Sequence, residues 1–199
     1  MTTVLIVRHG HVEGIDPERF RGRTDVPLTP EGEAQSAAVA KIIAAGWKPK
    51  AIYTSPLRRC IATGAAIARA CRIGPKVLES LNDISYGTWQ WKTHEEMQAQ
   101  DPEMLAIWKR APQLVRFPGG DSLQDVAVRA ADSLRFASDH HAGDTIVYVT
   151  HDTMIRVMLL HALGSPLDAY WRIAQKPCAL NEVSIDGSTP CLLRVGETA

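Results

Sequence analysis

Two short, β-branched segments of this 199-residue chain run directly into histidine: TVLIV at 3–7 is followed by Arg8-His9-Gly10-His11, and TIVYVT at 145–150 by His151-Asp152. Continuous apolar runs of this length suit strands covered on both faces. AIYTS at 51–55 reads the same way. Helical patterns separate the three, so the chain is expected to form an α/β fold: a three-layer α/β/α sandwich around a mostly parallel central sheet.

The helices carry their own punctuation. Thr29 reads as an N-cap with Pro30 at the first helical position, Ala38, Ile42 and Ala45 on one face, and Gly46 as the stop. A second helix is expected from about Pro56 to Arg72, ended by Gly74. A third is capped by Ser122 with Asp125 near N3, and lines Leu123, Val126, Ala127, Ala130, Leu134 and Ala137 on one side. A fourth runs from Asp152 to Leu163, and LNEVSI (180–185) with CLLRV (191–195) reads as a closing hairpin.

Between these, about 84–120 has a looser pattern with short helical pieces around Glu95–Gln100 and Pro102–Lys109, and it contains Trp89, Trp91 and Trp108. The segment is expected to be a folded excursion covering the site within one domain spanning 1–199.

With 22 Lys+Arg against 22 Asp+Glu the formal charge is +0, so the total implies no field that gathers nucleic acid. The four cysteines show no metal-ligand or disulfide spacing. No apolar run approaches the ~20 residues that span a bilayer, and no basic leader precedes the first strand, so a cytoplasmic protein without a membrane partner is expected.

In an open α/β sheet, ligands collect beyond the carboxyl ends of the strands. Arg8, His9 and His151 therefore stand at candidate ligand positions, joined by Arg58 or Arg59 from the helix after AIYTS. Imidazoles and guanidiniums converging on one point repel unless they share an anion. A phosphoryl group fits, because its oxygens suit forked Arg donors and the N–H groups at a helix N-terminus. A histidine with one ring nitrogen free can then attack phosphorus, while the neighbouring cations neutralise the transferring charge.

Beyond these residues the chain resembles the histidine phosphatase superfamily, the phosphoglycerate mutase-like clan, and its small phosphatase branch that includes α-ribazole phosphatase. LIVRHGH, RFRGRTDVPLTPEGEAQS, IYTSPLRRCIATG, LNDISYGTWQW, PGGDSLQDVAVR and VYVTHDTMIRVML carry the resemblance over almost the whole chain. It implies a phosphoglycerate mutase-like fold. It makes His9 the nucleophile, Arg8 and Arg59 the phosphate clamp, His151 a phosphate ligand that stabilises the transition state, and Asp83 the proposed general acid. No cofactor and no metal is implied.

Three departures stand out. Asp83 is one methylene shorter than the glutamate usual at the acid position. Asp121 replaces a glutamate after PGG, where a helix-start and loop-ordering role is expected. HVEGID follows the nucleophile where relatives often carry Ser/Thr before Trp-Asn, so the usual amide contact to phosphate is not assignable to Gly14 or Ile15, leaving a backbone N–H or Arg21 to replace it.

Further residues are expected nearer the rim. His11, two positions from His9, lacks a third metal ligand and reads as a pocket-mouth residue. Arg21 and Arg23 read as gate residues on a loop. Tyr86, Trp89 and Trp91 either cap a pocket, with Tyr86 the candidate, or pack the excursion, which is the favoured reading, and Asp152 reads as a helix cap that also steadies His151 and as a pocket candidate. His140 and His141 suit an exposed helix end.

The expected activity is a metal-independent phosphomonoesterase acting on a small anionic phosphorylated metabolite through phosphohistidine. A mutase-type phosphoryl transfer and a non-catalytic phosphoester-binding protein are the alternatives. The mutase is disfavoured because Gly87–Gly120 holds only Lys92, Lys109, Arg110 and Arg116 as cations. Apolar residues in the C-terminal strands leave core packing and a homodimer interface both open.

Overall fold

The computed structural model describes residues 1–198. Its six strands are β1 (Thr2–Arg8), β2 (Ala51–Thr54), β3 (Pro75–Val77), β4 (Thr145–Thr150), β5 (Leu180–Asp186) and β6 (Thr189–Glu197), in the order β3-β2-β4-β1-β5-β6. The first four run parallel, and β5 and β6 add an antiparallel edge. Helices α1 (Pro30–Gly46) and α2 (Arg58–Cys71) cover one face; α5 (Leu123–His140) and α6 (Asp152–Ala162) cover the other. Between α2 and α5 come two short helices, α3 (His94–Gln100) and α4 (Pro102–Arg110). Alternation along β1 divides the core: Val4 and Ile6 pack beneath α5 and α6, and Leu5 and Val7 beneath α1 and α2.

The pairing of β1 with β4 positions everything that follows. Arg8 lies opposite Thr150 in parallel register, and the His9 amide continues the ladder by donating to the Thr150 carbonyl at 3.0 Å. His9 and His151 therefore leave adjacent strands at the same level of the sheet.

Local chemistry explains the helix ends. The Thr29 side chain accepts from the Gly32 amide, Pro30 opens α1, and Ser122 and Asp125 form a reciprocal capping box on α5. The exposed face of α1 differs from expectation. Gly32, Ser36, Val39, Ala40 and Ile43 are buried, whereas Ile42 faces solvent. The cause lies at the first turn, where Gly32 packs so closely on the loop after β1 that a Cβ there would sit 2.1 Å from the His11 carbonyl oxygen. That contact sets the rotation of the helix and turns Ile42 outward.

Two other boundaries shift. α2 begins at Arg58 rather than Pro56, and its C-cap is Arg72 in the left-handed region (φ 58°) rather than a glycine. Pro75–Val77 forms an edge strand that the apolar pattern hides, because all three residues are exposed and Pro is tolerated only where a ladder N–H is dispensable.

The aromatic residues of the excursion knit it to the main body. Phe20, Tyr86, Trp89, Trp108 and Phe117 make edge-on contacts with ring centroids 4.8–6.3 Å apart, and Phe20 and Phe117 meet tilted at 6.4 Å.

Gly32→Ala is expected to cost about 2 kcal/mol or more of folding stability, since backbone rather than a flexible side chain blocks the new methyl. Urea denaturation of the two proteins checks this; an unchanged midpoint would show that the α1 contact is not tight.

Candidate active site

The carboxyl ends of β1, β2 and β4 and the first turn of α2 bring four side chains together. His9 is buried, and its Nδ1 lies 2.7 Å from the Gly10 carbonyl oxygen. A carbonyl only accepts, so Nδ1 carries the ring proton and Nε2 is left with its lone pair. The His9 and His151 rings are 5.3 Å apart, centroid to centroid.

Arg59 is fully buried. It donates to His151 Nδ1 at 3.2 Å, to the carbonyls of Thr24 and Gly22 at 2.7 and 2.6 Å, and to Asp83 Oδ2 at 3.3 Å. The other candidate from the same turn, Arg58, turns outward to Asp25. Arg8 is buried too and donates to the Gln175 carbonyl, while its Nε has no hydrogen-bond partner. An orphaned donor on a buried guanidinium is costly unless an anion answers it.

The charges act on one another. Burial, followed by the Arg59 and Arg8 guanidiniums, holds His9 well below the ordinary imidazole range. His151 is lowered in the same way by burial, Arg59, His9 and Arg8. Both rings are therefore neutral at pH 7.

Asp83 lies 3.5 Å from His151 Nδ1 through Oδ2, and its Oδ1 accepts from the Ile84 amide at 2.9 Å. Burial raises its pKa despite the opposing pull of Arg59. A carboxyl held toward its protonated form beside two neutral histidines is equipped to give up a proton.

Above these groups opens a cleft lined by His9, Asp83, Arg21, Tyr86, His94, Trp108, Asp152, Thr153 and Tyr170, with Glu18 and Trp171 also on its wall. Residues of the 84–120 segment thus form part of the wall. Burial and the neighbouring Arg8 lower the Arg21 pKa, and its guanidinium donates to the Gly14 carbonyl.

Other expected residues fall elsewhere. His11 hydrogen-bonds Thr29 at 2.9 Å and lines a separate surface groove with Glu31 and Lys176, because the Gly10–Gly32 contact turns the chain away from the cleft. Arg23 is tied to Asp121 at 2.9 Å and to the Asp83 carbonyl at 3.1 Å, which makes it a strut of the loop rather than a free gate. Asp121 also accepts from the Ser85 amide at 3.0 Å, ordering the Asp83 loop. Asp152 is not the cap of α6: His151 occupies that position, and the Asp152 carboxylate binds Arg156 at 3.0 Å. His140 is exposed at the end of α5, whereas His141 is part-buried against the Tyr53 hydroxyl at 2.9 Å.

Several cleft residues carry no sequence signal of their own. Glu18 and His94 approach to 3.6 Å on the cleft wall, where burial lowers the His94 pKa, and Thr153 shares a hydrogen bond with Tyr170 at 2.9 Å. Glu18 and His94 come from segments distant in the chain and meet through the packing of the excursion on the 19–20 loop, whereas Thr153 lies two residues after His151 in the first turn of α6. Among the described residues, no group of three His, Cys, Asp or Glu is arranged to hold a metal ion.

This geometry matches a known family. The histidine phosphatase superfamily (branch 1) aligns with residues 4–198, and the chain belongs to it. Phosphoserine phosphatase 1 of Hydrogenobacter thermophilus is 27% identical over 198 residues, covering 100% of this chain and 93% of the relative. The structure of Bacillus stearothermophilus YhfR superposes with a TM-score of 0.94 at 28% identity, over 100% of this chain and 98% of that one. The phosphoserine phosphatase of Entamoeba histolytica, solved with 3-phosphoglyceric acid, superposes with a TM-score of 0.88 at 26% identity, over 100% and 98%. The chain has the phosphoglycerate mutase-like fold of these neighbours and is a phosphatase by class.

Depressed histidine pKa values tie stability to pH. The unfolded chain binds protons at His9 and His151 near pH 6.5, whereas the folded protein does so only at lower pH, so stability is present above ~6.5 and falls as pH drops below it. The slope should approach ~1.4 kcal/mol per pH unit for each histidine. Denaturation midpoints between pH 7 and 5 check this, and a His9→Ala, His151→Ala double variant should show a shallower slope.

Proposed function

We propose that the chain is a metal-independent phosphomonoesterase that passes the phosphoryl group of a small phosphorylated metabolite first to His9 and then to water. The observation that carries this reading is the neutral His9 ring: its proton is held on Nδ1 by the Gly10 carbonyl, and its Nε2 lone pair is free. In the first step Nε2 attacks phosphorus and the ester P–O bond breaks. Asp83 gives its proton to the departing alkoxide. In the second step the Asp83 carboxylate takes a proton from water, the water oxygen bonds to phosphorus, and the N–P bond breaks to release phosphate.

Arg8 and Arg59 hold the phosphoryl oxygens, and His151 stabilises the transition state beside them. The unpartnered Arg8 Nε is the donor most in need of such an oxygen. Arg21, close enough to depress His9 electrostatically, takes the place of the amide contact that HVEGID does not supply. Each such donor is worth about 3 kcal/mol of transition-state stabilisation.

The relatives named for phosphoserine, and the neighbour holding 3-phosphoglyceric acid, support a small carboxylated phosphoester as the first substrate to try. The cleft favours hydrolysis over mutase transfer: its non-phosphate wall is largely aromatic and carries the carboxylates Glu18 and Asp152. The whole chain acts as one domain, with the 84–120 excursion covering the site. A cytoplasmic setting accords with its free thiols at Cys60, Cys71, Cys178 and Cys191. Among the described residues no helix is long and apolar enough to cross a membrane. A homodimer would use the exposed Leu193 and Val195 of edge strand β6.

Hydrolysis of phosphoserine and other phosphomonoesters should persist in EDTA and fall by at least ~10³-fold in His9→Ala. Phosphate trapped on the wild-type protein should be acid-labile and base-stable; acid-stable label would contradict a phosphohistidine. Asp83→Asn separates the acid from the clamp. Turnover of an alkyl phosphate should drop by about 10²-fold or more, but that of p-nitrophenyl phosphate, whose leaving group needs no proton, should drop far less. Equal losses on both would remove Asp83 from the proton-transfer step.

A further inference from the structure

The back of the His151 ring holds a contact that the phosphoryl-transfer scheme leaves unused. Ser55, fully buried just beyond β2, places its Oγ 2.7 Å from His151 Nε2. It is fixed there by its own amide, which donates to the Val149 carbonyl at 3.0 Å. On the opposite edge of the ring, His151 Nδ1 accepts from Arg59 Nε at 3.2 Å. A guanidinium has donors only, so this bond requires a lone pair on Nδ1, and the single proton of the neutral ring must sit on Nε2.

We propose that Ser55 is a positioning residue: by accepting the Nε2 proton it fixes the tautomer of His151, so that Nδ1 meets an arriving phosphoester as a lone pair. This rests on the phosphatase reading for its consequence. A monoester entering as the monoanion draws the Arg59 Nε–H off Nδ1 onto a phosphoryl oxygen and passes its own P–O–H proton to the Nδ1 lone pair so released, leaving the ester dianionic and His151 an imidazolium. One ring N–H then faces a phosphoryl oxygen, and the other remains on Ser55.

The surroundings make Ser55 the determining partner. The ring is faced by Arg59 and Cys60 from α2, Asp83 from the loop after β3, and His9 beyond β1. Of these only the Cys60 sulfur, 3.5 Å away, also approaches Nε2, and burial keeps that thiol protonated. Thiol sulfur is a weak acceptor. Without the Ser55 hydroxyl the Nε2–H loses its good partner, and the tautomer with the proton on Nδ1, donating to Asp83, becomes competitive.

Nitrogen-15 NMR of histidine-labelled protein tests this directly, with the His151 signals assigned by their loss in His151→Asn. The free wild-type protein should show a protonated Nε2 and a bare Nδ1, and saturating inorganic phosphate should protonate both. Ser55→Ala should give a mixed or reversed tautomer and lower kcat by about 10²-fold, less than the ~10⁴-fold that a wrong tautomer costs the general-base histidine of a catalytic triad, with KM changed only a few-fold. A proton on Nδ1 in the free wild-type protein would overturn the proposal, and this spectrum decides even if Ser55→Ala does not fold. Ser55→Ala with unchanged tautomer and kcat would also overturn it. A Ser55-dependent Nε2 tautomer in a protein that hydrolyses no phosphoester would uphold the positioning role and sink the phosphatase reading instead.

Discussion

The parallel pairing of β1 with β4 is the constraint on which the rest of the structure depends. With Arg8 opposite Thr150, two histidines separated by 142 positions of sequence emerge side by side. A slip of one residue would send one of them to the other face of the sheet. The register is protected on both sides: Val4 and Ile6 face one helical layer, Leu5 and Val7 the other, and all four are fully buried. Burying both faces of β1 thus fixes the separation of the His9 and His151 rings.

That framework then holds together groups that would otherwise separate. Two guanidiniums and two imidazoles share one buried site, with Asp83 the carboxylate in contact with Arg59 and His151. Arg59 is secured by backbone carbonyls of the 22–24 loop as well as by Asp83, so its charge is spread over several acceptors. The histidines answer the same field by remaining unprotonated. Their neutrality follows from burial and arginine together, and it converts what would be a repulsive cluster into a nucleophile facing an anion site. Asp83 shifts in the opposite sense, because desolvation outweighs the arginine beside it and raises its pKa.

Much of this was legible in the sequence. The three apolar strands and the capped starts of α1 and α5 follow from local rules, and the strand-end positions of His9 and His151 follow from the sheet. Arg59 was distinguished from Arg58 only by resemblance to the family; the structure shows Arg58 paired outward with Asp25. The buried face of α1 departs from its apolar pattern because a glycine contact, which leaves no trace in hydrophobic periodicity, sets its rotation. Proximity to His9 points His11 toward the cleft and a loop position points Arg23 there, whereas a close-packed glycine and an Asp121 contact direct them elsewhere. Glu18 and His94 have no local signature, since their place at the cleft depends on how the aromatic excursion folds back, and Thr153 is an unmarked residue that the first turn of α6 carries there with His151. Ser55 was visible as a motif residue, but its bond to His151 required three dimensions.

The central claim is that His9 Nε2 faces phosphorus in line, within a clamp of Arg8, Arg59 and His151. The most direct measurement is a crystal structure with orthovanadate, whose trigonal-bipyramidal vanadium imitates the transferring phosphoryl group. Vanadium should bond to His9 Nε2 at an apex, with the equatorial oxygens taken by the two arginines and His151, and Asp83 should lie near the opposite apex. Vanadium bound away from His9, or held through Nδ1 with the Gly10 contact broken, would contradict it.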